Sequence, residues 1–265
     1  MKKQFLSFLL LTSVSLFSFS DTLHAQANTA SIAIEQSQKS EVTHRLIWGA
    51  KVSPYVRKVI VTLDEKKIPY DIKETLPATL LIATKQDVSQ DFMTASPLGK
   101  IPAYVETRKD HVFNISDSDV IVNYLEQTVT ENPLRPRDAE MNANVSWMNK
   151  YADDVIAPLT HAVLVEKVVK VKVLNQKSDD AKVTEIIDKK LPEVFAFLEN
   201  KLSDDRSWIA GTDNLSLADI SVVAHFSSLV TSDIKLETIL APKYPKLNAY
   251  VKKILERDSF KKAMS

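Results

Sequence analysis

Apolar and polar residues follow a pattern over the first part of the fold that predicts a β-α-β unit. The short segment His44–Trp48 ends in three apolar residues, has the length of a buried strand and is followed by Gly49. Segment 53–66 then places apolar residues at three- and four-residue steps, as on one face of a helix. Its Ser-Pro start is a strong helix-initiation signal. Tyr70–Lys73 alternates as a second strand.

The pattern continues with a helical but loosely patterned segment, Thr79–Thr94. Two short strands, Ala103–Glu106 and Val112–Asn114, flank a polar turn and predict an antiparallel hairpin. A helix over Ser118–Gln127 follows. The order β-α-β-α-β-β-α predicts a small mixed sheet covered by helices.

From Pro133 onward the pattern becomes that of long amphipathic helices without strands. We predict four of them, at about 138–166, 179–203, 216–231 and 244–256. Ser216 and Asp219 have the spacing of a capping box at the start of the third helix. The proline-bearing segment 132–138 is predicted to be the hinge between an α/β half, 43–131, and an all-α half, 132–265.

The N-terminus has the order of a cleavable secretory signal over residues 1–27. Two lysines precede an apolar run, and small residues follow at Ala25 and Ala27. The run is shorter than the ~20 residues of a membrane span, and an uncleaved anchor is the alternative. Cleavage near Ala25 or Ala27 would release the protein into a periplasm or outside the cell. Residues 28–42 are predicted to be a linker.

Composition excludes several classes of chemistry. The chain has no cysteine, so any reactive thiol must arrive with a ligand. Its three glycines exclude a Gly-rich phosphate loop, and its five scattered histidines predict no metal site. The chain has 34 basic and 34 acidic residues, and without residues 1–27 its net charge is near −1. This balance predicts neither nucleic acid nor an anionic membrane as partner.

The segment SPLGKIPAY, Ser96–Tyr104, predicts a sharp corner that leads into a strand. Pro97 fixes its own φ, and Gly99 can adopt angles closed to other residues. Ile101 is held extended by the proline that follows it. The Ile101 amide and carbonyl therefore have no obvious helix or strand partner, and an extended peptide could pair with them. An ordinary loop before a strand is the alternative.

Four segments together resemble the cytosolic-type glutathione transferases over nearly all of residues 43–265. In chain order they are SPYVRKV, SPLGKIPAY, ISDSDVIVNYL and AGTDNLSLADIS. The resemblance implies a thioredoxin-like α/β domain over 43–131 and an all-helical C-terminal domain over 132–265. It also implies glutathione as co-substrate and a homodimer.

The resemblance further implies roles for five residues of the glutathione site. Pro102 would be the cis-proline of the thioredoxin-like fold, and Ile101 would pair through its backbone with the cysteinyl part of glutathione. Lys100 would help to hold the acidic end of the tripeptide. Asp117 and Ser118 would bind the γ-glutamyl group, although the family often has Glu where this chain has Asp117. Capping of the following helix is the alternative role for this pair.

The resemblance implies that Ser53 carries the chemistry, because it matches the serine of tau-like and related bacterial transferases. The thiol of glutathione has a pKa of about 8.5, and lowering it by ~2 units requires about 2.7 kcal/mol. A charge-assisted hydrogen bond from the Ser53 hydroxyl supplies about 1.5–3 kcal/mol, and the helix N-terminus adds about 0.3–1 kcal/mol. Ser53 would donate to the thiolate and would not be a nucleophile. Capping of the helix alone is the alternative.

These features predict a detoxifying glutathione transferase that conjugates glutathione to a small apolar electrophile. Two alternatives use the same fold, since a fold does not determine function. One is a non-catalytic protein that carries an apolar ligand or partner. The other is a glutathione-dependent isomerase or dehalogenase.

Overall fold

The computed structural model describes residues 41–265, so the predicted signal peptide and nearly all of the predicted linker lie outside the described residues. Contacts divide the described residues into a large unit, residues 44–106 and 112–265, and a small one, residues 41–43 and 107–111. Within the small unit, Lys109 Nζ lies 2.5 Å from Glu41 Oε2. Among residues 41–265, none of the helices combines the length and apolar character that a membrane crossing requires.

Four strands form a sheet in the order β2-β1-β3-β4. The strands are β1 (Val42–Trp48), β2 (Asp71–Lys73), β3 (Ala103–Arg108) and β4 (Val112–Ser116). β1 pairs with β2 in parallel, and Ile47 lies beside Ile72 in the register. The predicted strands are confirmed, and β3 and β4 each extend two residues beyond the predicted end.

Four helices belong to the α/β half. They are α1 (Pro54–Glu65), α2 (Ala78–Ala83), α3 (Gln90–Ala95) and α4 (Ser118–Thr128). The prediction of one helix over 79–94 is wrong, because Lys85 has a left-handed φ of 57° that ends α2. Ser89 then starts α3, its side chain accepting a hydrogen bond from the Phe92 amide.

The C-terminal half is helical, but its helices are interrupted by π-helical turns with i→i+5 hydrogen bonds. In place of the predicted helix 138–166 there is a longer series of α- and π-helical segments. A second series of this kind replaces the predicted helix 179–203. The first contains α5 (Ala139–Tyr151), π1 (Ala152–Ile156), α6 (Ala157–Leu164) and π2 (Val165–Val173), and the second contains α7 (Asp180–Glu185), π3 (Ile186–Lys190) and α8 (Leu191–Lys201).

Prolines account for two of the π-helical turns. Pro158 and Pro192 each lie two residues after the end of a π-helix, π1 and π3 respectively. Proline has no amide hydrogen and its ring clashes with the carbonyl four residues earlier, so the preceding turn cannot keep the α-helical pattern. The sequence therefore carries a local signal for these two interruptions.

π2 is attached to α7 through one buried carboxylate. Glu166 is 1% exposed, and it accepts hydrogen bonds from the Asp179 amide at 3.1 Å and from Lys182 Nζ at 2.9 Å. Lys170 Nζ lies 2.6 Å from Glu166 Oε2, the same oxygen that accepts from the Asp179 amide. These hydrogen bonds lower the pKa of Glu166 to about 2.

α9 (Leu217–Thr231) is the central helix of this half and is buried along nearly its whole length. The predicted capping box at its start is confirmed: the Ser216 amide donates to Asp219 Oδ2 at 2.8 Å. The last helices are α10 (Leu236–Leu240), α11 (Pro245–Leu255) and α12 (Asp258–Met264). α10 and α12 were not predicted, because helices of five and seven residues are too short to show a clear repeat of apolar positions.

Candidate functional site

A cavity of about 520 Å³ lies between the α/β half and helices α6 and π2. Every residue that the sequence assigns to the site lines this cavity, namely Ser53, Lys100, Ile101, Pro102, Asp117 and Ser118. A groove of about 580 Å³ lies elsewhere, beside Glu65 and Arg257. Its charged side chains pair with one another, as Arg257 Nη2 does with Glu65 Oε2 at 2.8 Å, so we take the first cavity as the site.

Ser53 occupies the N-cap position of α1, but the helix does not use its hydroxyl. Its carbonyl accepts a hydrogen bond from the Arg57 amide at 3.0 Å, as a cap residue's does. Within the described residues, its side chain makes no capping hydrogen bond. Pro54 follows and has no amide hydrogen to be capped. The Ser53 hydroxyl is therefore available to a group bound in the cavity.

The corner before β3 is held by the side chain of Ser96 and by Gly99. Ser96 is fully buried, and its Oγ donates to the Lys100 carbonyl at 2.7 Å and accepts from the Lys100 amide at 3.0 Å. Gly99 has a left-handed φ of 62°, and a Cβ there would lie 2.5 Å from the Ala78 Cβ. The corner is thus built for glycine and fixes the backbone that follows.

Ile101 leaves this corner with an unpaired backbone. Its peptide bond to Pro102 is cis. In the described part of the chain, neither its amide nor its carbonyl pairs with another backbone group. Backbone groups away from water nearly always have partners, so an open amide and carbonyl at a cavity wall can receive an extended peptide as a short added strand.

Asp117 and Ser118 form the N-terminus of α4 at the edge of the same cavity. Asp117 Oδ1 accepts from the Asp119 amide at 2.9 Å and from the Val120 amide at 3.2 Å, so this residue does cap the helix. Its φ of 87° is rare outside glycine and costs conformational energy. Ser118 is 5% exposed. A carboxylate beside a helix N-terminus can bind an ammonium group and a carboxylate of one ligand together.

Comparison with known proteins identifies both halves of the chain. Residues 48–133 match the model of the glutathione S-transferase N-terminal domain, and residues 154–258 match that of the C-terminal domain. The chain belongs to the glutathione S-transferase family. Its fold is the thioredoxin-like plus all-helical fold of that family, its general activity is glutathione transfer, and glutathione is the co-substrate of the family.

The relatives of this glutathione S-transferase are distant. A glutathione S-transferase of Hyoscyamus muticus is 27% identical over 222 residues, which cover 82% of this chain and 95% of the relative. FtsZ-localized protein A of Caulobacter vibrioides is 25% identical over 180 residues, 66% of this chain and 73% of that protein. The solved structure of a glutathione S-transferase of Rhodospirillum rubrum F11 superposes with a TM-score of 0.70 at 24% identity. The match covers 83% of this chain and 92% of that one, and it supports the fold alone.

The opposite wall of the transferase cavity comes from residues of α6 and π2. Apart from His161 they are aliphatic, namely Leu164, Val168, Val169 and Val173. Tyr55 lines the base, and its ring centroid lies 6.2 Å from that of His161. Trp147 and Tyr151, which lie on the same predicted helix, stack on each other at 5.6 Å and do not line the cavity.

The surroundings of the two polar rings that line the cavity, Tyr55 and His161, favour their neutral forms. Burial raises the pKa of Tyr55, and the charges of Asp153 and Asp117 raise it further. Burial lowers the pKa of His161 from 6.5. Both side chains can therefore donate a hydrogen bond without carrying a charge.

A buried charge network lies behind Tyr55. Lys58 is 0% exposed, and its Nζ lies 2.9 Å from Asp153 Oδ2 and 3.6 Å from Asp119 Oδ1. His225 Nε2 donates to Asp153 Oδ1 at 2.8 Å. Although burial alone would raise it, the pKa of Asp153 is lowered by His225 and Lys58. The network joins α1, α4, π1 and α9 and so fixes the wall that carries Tyr55.

The described residues contain no group of three or more His, Cys, Asp or Glu side chains that could hold a metal ion.

Proposed function

We propose that this transferase conjugates glutathione to a small apolar electrophile, with Ser53 as the hydrogen-bond donor to the glutathione thiolate. The observation that carries the proposal is the unused hydroxyl of Ser53 at a cavity wall. Because the hydroxyl takes no part in capping, its rotation is not fixed by the helix and its O–H can turn toward a bound sulfur. The N-terminus of α1 adds its positive end to the same place.

Glutathione would occupy the side of the cavity formed by the α/β half. The cysteinyl backbone would pair with the open amide and carbonyl of Ile101, and the sulfur would point toward the start of α1. The γ-glutamyl ammonium would pair with Asp117, and the γ-glutamyl carboxylate with the start of α4 and the Ser118 hydroxyl. Lys100 would hold the acidic end of the tripeptide.

The reaction needs only donors on the protein side. The Ser53 hydroxyl donates to the sulfur anion and lowers the pKa of the bound thiol, so a larger fraction is thiolate at neutral pH. The thiolate then attacks the electrophile held against the aliphatic wall. Serine cannot form a mixed disulfide, which separates this site from thiol-disulfide exchange.

The test is binding of glutathione by titration calorimetry, followed by turnover of 1-chloro-2,4-dinitrobenzene. We expect saturable binding and a rate above the uncatalysed one. Binding without turnover would favour a glutathione-dependent isomerase or dehalogenase. Absence of binding would refute the proposal.

A non-catalytic binding role is the second candidate. It is supported by the similarity to FtsZ-localized protein A, which is named for where it localises and not for a reaction. A protein of this kind would keep the cavity and bind a partner without turning over an electrophile. Neither binding of glutathione nor turnover of the electrophile would favour this candidate.

We further propose that the enzyme acts in the periplasm or outside the cell and works as a homodimer. The support for export is the signal-like order of residues 1–27, and the support for the dimer is the family resemblance. N-terminal sequencing of the mature protein should give a start near residue 26 or 28. Light scattering of the purified protein should give twice the monomer mass.

A further inference from the structure

The segments that line the α/β side of the cavity follow one another along one end of the sheet. In the strand order β2-β1-β3-β4, Asp117 follows the edge strand β4, Ile101 precedes β3, Ser53 follows β1 and Leu76 follows β2. A tripeptide with its γ-glutamyl group at Asp117 and its cysteinyl group at Ile101 would cross the strands in this order. Its third residue would then lie on the side of β2 and α2.

The start of α2 is attached to the corner that precedes Ile101. The Ala78 amide donates a hydrogen bond to the Gly99 carbonyl at 2.8 Å. Leu76 and Leu80, which lie on either side of Ala78 in the sequence, line the cavity together with Ile101. This hydrogen bond therefore holds the start of α2 next to the backbone that would receive the cysteinyl group.

The cavity surface on this side is aliphatic. It consists of Leu76, Pro77, Leu80 and Leu98. Leu98 is 77% exposed, the largest value among the exposed large hydrophobic side chains of residues 41–265. Apolar residues that share one cavity mark a binding site better than a single exposed leucine does. Glycine, the third residue of glutathione, has no side chain that could cover them.

Lys100 provides the only lysine or arginine side chain among the described residues that line the cavity. It is exposed, and no described carboxylate lies within ion-pair distance of its ammonium group. It can therefore bind the terminal carboxylate of a tripeptide. A cation next to an aliphatic surface matches an amino acid that has a free carboxylate and an apolar side chain.

Resting on the proposed function, we propose that this transferase uses γ-glutamyl-cysteinyl tripeptides with an aliphatic third residue, such as leucine, in preference to glutathione. The carboxylate of the third residue binds Lys100, and its side chain covers Leu76, Leu80 and Leu98. Leu98 is then a specificity-determining residue for the thiol. The chemistry at the sulfur is the same for both thiols, because the third residue takes no part in bond formation.

The test compares glutathione with γ-glutamyl-cysteinyl-leucine, first by titration calorimetry and then as the thiol in turnover of 1-chloro-2,4-dinitrobenzene. We expect the leucyl tripeptide to bind about 3–10-fold more tightly, the effect of burying roughly half of a leucine side chain. Its KM should fall and kcat should not change, as for an interaction that is the same in the ground state and the transition state. The tripeptide that ends in glutamate should bind less tightly than the leucyl one, because its second carboxylate would lose water against the leucines.

A matched pair of exposed aliphatic residues tests the assignment of Leu98. Leu98 lines the cavity, whereas Ile82, on α2, is 67% exposed and does not. Leu98→Ser should remove most of the preference for the leucyl tripeptide. Ile82→Ser should leave both the preference and turnover with glutathione unchanged. Both side chains are exposed, so both variants should fold, which circular dichroism checks.

The outcomes separate this inference from the function on which it rests. Turnover with glutathione, combined with equal or weaker binding of the leucyl tripeptide, would overturn the inference and leave the proposed function standing. An unchanged preference in Leu98→Ser would also overturn it. Binding of neither thiol would refute both. Tighter binding of the leucyl tripeptide that is lost in Leu98→Ser and kept in Ile82→Ser supports the inference.

Discussion

The N-cap residue of both α1 and α9 is a serine, but the two hydroxyl groups differ in their hydrogen bonds. At α9, the Ser216 amide and hydroxyl both donate to Asp219 Oδ2, at 2.8 and 2.7 Å. Asp219 Oδ1 accepts from the Ile209 amide and from the Tyr250 hydroxyl, each at 2.8 Å. At α1, the Ser53 hydroxyl makes no capping hydrogen bond. Every polar group at the first site has a protein partner, and the second site leaves one open.

The difference teaches how to separate a structural serine from a functional one. Buried polar groups are satisfied because an unsatisfied group costs free energy. The Ser53 hydroxyl, the Ile101 amide and His161 line one cavity, are not buried and have no protein partner among the described residues, so a bound ligand can supply one. Substitutions at the α9 start should therefore lower stability and spare activity, and substitutions at the cavity should do the reverse.

The largest effect is expected for Asp219→Ala. It orphans two buried amides, those of Ile209 and Ser216, at about 1–3 kcal/mol each. We expect the free energy of unfolding to fall by about 3–5 kcal/mol in urea denaturation. Asp219→Asn, which keeps one acceptor, should lose less. A loss under about 1 kcal/mol for the alanine variant would show that this cap is not a major support of α9.

Ser53→Ala tests the open serine. Turnover of the electrophile should fall by roughly 10–1000-fold, the range for loss of one donor to a developing or bound anion. The free energy of unfolding should change by less than about 0.5 kcal/mol, because no hydrogen bond within the protein is lost. Ser216→Ala is the matched control, and it should cost about 1 kcal/mol and leave turnover intact. The reverse pattern in these two variants would contradict the comparison.

Asp117 is the intermediate case, since it caps α4 and also faces the cavity. Asp117→Asn keeps a good cap but removes the charge. It should weaken glutathione binding by about tenfold in calorimetry and leave stability unchanged, as expected for a lost charge-assisted contact. Asp117→Ala should weaken binding and also cost about 1 kcal/mol. Unchanged binding in the asparagine variant would leave capping as the role of Asp117.

The smallest effect concerns pH and the buried carboxylate of π2. The pKa of Glu166 is lowered from 4.5 to about 2 by its hydrogen bonds, so the folded state holds the ionised form. Its contribution is complete above about pH 4.5 and is lost as the pH falls toward 2. Urea midpoints measured across this window should fall less steeply for Glu166→Gln than for the wild type. Parallel curves would contradict the assignment.

The corner at Ser96–Tyr104 could be predicted from the sequence, because local backbone constraints build it, whereas the roles of the other site residues were implied by the family resemblance. Pro97, Gly99 and Pro102 restrict the chain whatever surrounds them, and the structure places all six predicted residues on one cavity. The role of Ser96 was missed, because its hydrogen bonds to Lys100 are visible only once the corner has formed.

The helical half was predicted only in outline. The amphipathic pattern located the helices, but a period of 3.6 residues was assumed for segments that are π-helical. The composition of Val165–Val173 does not reveal the wider turn, since apolar residues there fit either period. The wall formed by α6 and π2 therefore could not be read from the sequence, whereas the corner that leads into β3 could.

The π-helix π2 also offers an evolutionary route to new substrates. Deleting one residue from Val165–Val173 would allow an ordinary α-helix. The side chains beyond the deletion would rotate by about a quarter turn or more around the helix axis, so a different set of residues would face the electrophile. The sheet, the corner at Gly99 and the start of α1 would not change. A single-codon event in this segment could thus change the cavity wall formed by π2 while the opposite wall is inherited intact.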